Sequence, residues 1–156
     1  MLFRSILHIL NSDLPGAHFL CRHMQNKPAW EGMYIHGLLH RVEGDYENTK
    51  IWYRQVSESG CFQHVWGGED GALDTANQFL DDIKTLRDET PSDEDLRGRL
   101  NEQSKQEIDK LVEWCQQCFG TGVVKDAATE AWVESSREQR EIAAKMIVGG
   151  EGWRQF

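Results

Sequence analysis

Two histidines four residues apart, His36 and His40, lie in the run YIHGLLHRVEGDYENTKIWYRQV, and Glu43 follows three residues later. On a helix these three fall at i, i+4 and i+7, one continuous stripe. Imidazoles at i and i+4 can each turn a ring nitrogen toward one divalent ion, the spacing that H-E-x-x-H zinc sites exploit. The intervening GLL carries no glutamate, so the internal base of that protease chemistry is missing. Glu43 serves either as a third ligand or as the carboxylate that fixes a histidine tautomer. His64, in CFQHVW, is the fourth ligand candidate if the chain folds back. Zinc or a similar divalent metal is the implied cofactor. Arg41, Asn48, Trp52 and Arg54 offer a second use of the same stretch, as the binding groups of a small or anionic ligand held against neutral histidines. A third use is purely structural. Two imidazoles in a helix seam need partners, because each unsatisfied buried polar group costs about 1–3 kcal/mol.

The elements that must position these residues are helical. Ser12 or Asp13 caps a helix over DLPGAHFLCRHMQ, with Pro15 in its first turn, where the missing N–H costs little. Pro28 opens and Gly44 closes the helix that carries both histidines; its apolar stripe is Tyr34, Ile35, Leu38, Leu39 and Val42. Asp45 caps the next helix, which ends at Gly60, and WGGEDG forms a turn over 66–71. Leu73, Ala76, Phe79, Leu80, Ile83 and Leu86 recur at three- and four-residue steps and predict another helix. A long helix runs to about Phe119 with Leu100, Ile108, Leu111, Val112, Trp114 and Cys115 inward. AATEAWVESSREQREIAAKMIVGG predicts a final helix, with Trp153 and Phe156 in a tail. At the other end, Leu2, Phe3, Ile6, Ile9 and Leu10 share one side of an amphipathic opening helix. No alternating strand pattern interrupts this series, so the fold class is all-α: a small domain of about six helices.

At 156 residues the chain reads as one domain, 1–156. Its formal charge of -9 is unevenly spread. Residues 1–66 carry 6 basic and 6 acidic side chains and all six histidines; residues 67–156 carry 11 basic and 20 acidic ones. An acidic balance argues against a nucleic-acid partner, which wants a basic surface. No apolar run reaches the ~18 residues of a membrane span, and no cleavage site follows MLFRSILHIL. Four cysteines are too few for a disulfide framework at this length. CQQC at 115–118 sits within a helical segment and reads as two small core residues sharing a face. A reducing, cytoplasmic setting follows as the expectation.

Residues 13–24 and 45–56 superpose at an offset of 32, pairing Asp13 with Asp45, Ala17 with Thr49, Cys21 with Tyr53 and Arg22 with Arg54. With paired helices and a G-D-Y turn, this resembles the tetratricopeptide repeat. The resemblance covers about one and a half repeats, residues 13–60, and lacks the proline expected after the second helix. It implies that Gly37 is the small residue at the crossing, that Thr49 faces it, that Tyr53 is the second helix's aromatic, and that His36 and His40 face the partner helix.

The same run also resembles a signature of fungal and bacterial proteins of no established activity, approximately W-H-x-I-x-H-R-R-E-x-D-[YF]-x-N-A-K-Y-W-F-R-R-V-G. The matching positions are His36, His40, Arg41, Glu43, Asp45, Asn48, Lys50, Trp52 and Arg54; Val42, Thr49, Ile51 and Gln55 depart from it. His64 would be the equivalent of that family's later histidine. The resemblance implies shared local architecture and no reaction.

Two functions from different classes follow. One is a polar His/Arg/Glu pocket for a small ligand or divalent metal, which leaves room for catalysis. The other is a tetratricopeptide-like interaction module that grips a protein peptide without chemistry. A second copy of the chain, in a homodimer, is a further partner.

Overall fold

The computed structural model describes residues 2–68 and 71–122, and its helices lie in one compact unit ending at Thr121. Among the described residues there are seven helices and no strand. They are α1 (Leu2–Leu10), α2 (Leu14–Arg22), α3 (Trp30–Val42), α4 (Tyr46–Val56), α5 (Gly60–Trp66), α6 (Ala72–Asp88) and α7 (Glu94–Phe119). The helix expected after Ala127 and the tail with Trp153 and Phe156 lie outside the described residues. None of the described helices is long and apolar enough to cross a membrane.

Short polar residues set most of the helix starts. The Asp13 carboxylate accepts from the Gly16 N–H at α2, Asp45 from the Asn48 N–H at α4, and Asp93 from the Leu96 N–H at α7. Gly44 follows α3 at φ 81°, and its N–H bonds back to the Arg41 carbonyl.

α3 is the central element and packs against α1, α2, α4 and α5. Tyr34, Ile35, Leu38 and Leu39 on it are fully buried. The α3–α4 crossing is tight at Gly37, where a Cβ would stand 2.9 Å from the Trp52 Cβ and 3.1 Å from the Tyr53 ring. Thr49 and Tyr53 are buried at the same interface. α6 and α7 close the core from the other side with Ala76, Phe79, Leu80, Leu100, Leu111 and Cys115.

Several expectations are corrected. The helix expected to end at Gly60 stops at Val56, and CFQHVW is helical: Ser59 caps α5 by accepting from the Phe62 N–H, so Gly60 opens a helix and Trp66 closes it. α1 buries Ser5, Ile6 and Ile9 and leaves Leu10 exposed; Val42, at the end of the α3 stripe, is exposed too. Cys115 is buried but Cys118 is exposed, because α7 carries its last turn into solvent.

Candidate functional site

α3 and its C-cap place His40 beside Glu43, and a residue from another helix joins them. α3 carries His36 and His40, with Glu43 at its C-cap, and α2, packed alongside, brings in His18. The Glu43 carboxylate bridges two imidazoles. Oε1 lies 2.8 Å from His18 Nε2, and Oε2 lies 3.0 Å from His40 Nδ1. A carboxylate can only accept, so both imidazoles donate here.

His18, His40 and Glu43 each offer a ligand atom, and these atoms lie within 4.8 Å of one another. Donors around a tetrahedral ion at about 2.0–2.2 Å stand about 3.3–3.6 Å apart. The group therefore needs only small side-chain rotations to close on an ion. Its members are part-buried, with side-chain exposures of 16, 13 and 12% for His18, His40 and Glu43.

His36 is the third imidazole of the cluster but stands differently. Its ring stacks on His40 (centroids 4.8 Å, planes 20° apart) and on Trp52 of α4 (4.4 Å, 30°). His18 meets both rings edge-on, at 86° to His36 and 66° to His40. His36 is only 5% exposed, and its Nδ1 is buried with no hydrogen-bond partner among the described residues. Burial pushes its pKa from 6.5 down to about 3, and the neighbouring His40, His18 and Arg22 push the same way. Burial also lowers the pKa of His40, against the pull of Glu43. Both imidazoles are thus biased to the neutral form that a metal ion requires.

No family model, curated protein or solved structure matches this chain. The chemistry of the cluster rests on its own atoms.

The other residues singled out in the sequence go elsewhere. Arg41 turns into the core and is buried against Glu107 of α7, with a second hydrogen bond to Ser104 Oγ at 3.1 Å. Burial opposes its charge, but the Glu107 carboxylate together with Tyr53 and Tyr34 raises its pKa. Glu107, 2% exposed, also accepts from the Tyr34 and Tyr53 hydroxyls at 3.0 and 2.5 Å, and Trp66 Nε1 donates to the Tyr34 oxygen at 2.6 Å. Arg54 is exposed on α4, and Asn48 lies in its first turn, its N–H held by Asp45. His64 sits on α5 against the Trp114 ring (5.5 Å), 3.7 Å from a Glu113 oxygen, both on α7. Of the sequence-predicted residues, the fold gathers His36, His40, Glu43 and Trp52.

His18 and Glu107 escaped the sequence argument. His18 flanks the inner stripe of Leu14, Ala17 and Cys21 on α2, a weak signal. Glu107 carried a stronger one. Leu100, Glu107, Leu111 and Cys115 recur at helical spacing and are the buried residues of α7, so a charged residue occupied an apolar position.

Proposed function

We propose that the chain binds one divalent transition-metal ion through His18, His40 and Glu43, with His36 beside them. The observation that carries this is the convergence of two imidazole nitrogens and a carboxylate, within 4.8 Å of one another, from α2, α3 and the α3 C-cap. Two nitrogens and one oxygen suit zinc and its borderline neighbours better than magnesium or calcium, which take oxygen sets. In the metal-free state the two N–H groups share Glu43; an ion would replace both, with each imidazole taking its other tautomer or releasing a proton.

A second proposal rests on those same hydrogen bonds: Glu43 satisfies His18 and His40, as it would in a structural seam holding α2 to α3. Metal uptake decides between them. Chelator-treated protein titrated with Zn2+ by calorimetry should bind one equivalent, and His18→Ala, His40→Ala and Glu43→Gln should each weaken binding by at least tenfold. Equal weak uptake by the parent and all three variants, which remain folded by circular dichroism, would leave the seam.

A further inference from the structure

The ligand set points beyond metal binding alone. We propose that the loaded centre keeps an open coordination position that takes water or a small anion, and that His36 lines this position as a hydrogen-bonding, non-ligating imidazole. This rests on the metal-binding proposal above.

Three protein donors are too few to saturate a tetrahedral ion, and sites of three protein ligands are the ones that hold an exchangeable fourth. Among the described residues, only His18, His40 and Glu43 form such a group. His36 is the one nearby side chain that could close it, and its orientation argues against that. An imidazole lone pair lies in the ring plane, so an ion held by His40 lies near the His40 plane. The His36 ring is only 20° from parallel to that plane and displaced by 4.8 Å between centroids, so its own lone pairs run alongside and do not converge. Trp52, stacked on it at 4.4 Å, resists rotation. The His18 ring crosses His40 at 66°, a disposition in which two lone pairs do meet.

Two further observations say what the open position takes. The His36 Nδ1 is buried without a hydrogen-bond partner among the described residues, in a residue 5% exposed, so the cluster holds an unmet polar group. The part exposure of the three donors gives solvent a path to the ion. The positive charge of Arg22, one turn beyond His18 on α2, acts on the His36 ring, and with the ion it favours an anion.

The test uses the 156-residue chain loaded with Co2+, whose visible spectrum reports coordination, and azide as the anion. The parent should show a saturable spectral change with azide. His36→Leu and His36→Phe (the second keeping an aromatic against Trp52) should take up cobalt with the parent's stoichiometry and bind azide about five- to tenfold more weakly, the loss of one hydrogen bond. A cobalt spectrum indifferent to azide would overturn the open position. Equal azide affinity in the parent and both variants would overturn the role of His36. Absence of cobalt uptake by the parent would instead remove the metal site itself.

Discussion

Replacing Glu107 by leucine tests whether Arg41 belongs to the core or to a ligand site. The substitution leaves the Arg41 guanidinium buried with only the Ser104 hydroxyl as partner and takes the acceptor from Tyr53 and Tyr34. Stranding one member of a buried ion pair costs about 3–5 kcal/mol. The Tyr53 hydroxyl adds about 1 kcal/mol or more. Tyr34 loses less, since its oxygen still accepts from Trp66. The sum, about 4–6 kcal/mol, is a large part of the 5–15 kcal/mol that holds an average domain together. Glu107→Gln keeps an oxygen for the tyrosines and should cost about 3 kcal/mol, the charge alone. The decisive variant is the double one. Arg41→Met with Glu107→Leu removes both charges and should be about 2–3 kcal/mol more stable than Glu107→Leu alone. Urea unfolding followed by circular dichroism measures each. Additive losses would refute the buried pair, and a cost of Arg41→Met within about 0.5 kcal/mol, normal for a surface site, would return Arg41 to solvent.

Acid should act through His36: its folded pKa of about 3 against 6.5 means that the unfolded chain takes the proton first. The stability this contributes is full above pH 6.5 and drains away between 6.5 and 3 at about 1.4 kcal/mol per pH unit. In chelator-treated protein, lowering the pH from 7 to 5 should then cost about 2 kcal/mol more in the parent than in His36→Phe, and parallel urea-midpoint profiles would contradict this. His64→Ala should leave zinc affinity within twofold of the parent, because His64 lies against Trp114; a tenfold loss by calorimetry would bring it into the site. Gly37→Ala should cost about 1–3 kcal/mol in thermal or urea unfolding, since its Cβ would press on Trp52 and Tyr53; a neutral result would mean that α3 and α4 part freely.

What the sequence made legible was what one helix decides by itself. His36, His40 and Glu43 fall on one stripe by helix geometry, and Asp13, Asp45 and Gly44 mark ends through local hydrogen bonds and a positive φ. α5 was hidden because Gly60 looks like a stop, whereas Ser59 makes it a start. His18 depends on the register of α2 against α3, which no local pattern fixes. Arg41 and Glu107 were hidden for a different reason: each holds an inward position of its own helix, three residues after Leu38 and four before Leu111. Opposite charges in the apolar stripes of two helices are a signal of a buried pair, but these two lie 66 positions apart and point to each other only once the chain between them is folded.

The two inward-facing polar groups of this fold differ in how completely they are bonded. Around Glu107 the bonding is complete: both oxygens are engaged, the guanidinium has carboxylate and hydroxyl partners, and the carboxylate is 2% exposed. Such a network fixes α3, α4 and α7 to one another and is satisfied without a ligand. Around Glu43 the bonding is incomplete. Two imidazoles share one carboxylate, a third has a buried nitrogen with no partner among the described residues, and the donors reach solvent. Folding alone would favour filling that wall with apolar side chains, because an unmet buried nitrogen only costs stability. Three imidazoles held within 5.4 Å of one another around a carboxylate are the feature on which the metal-binding proposal rests, and zinc titration separates it from the packing of α2 on α3.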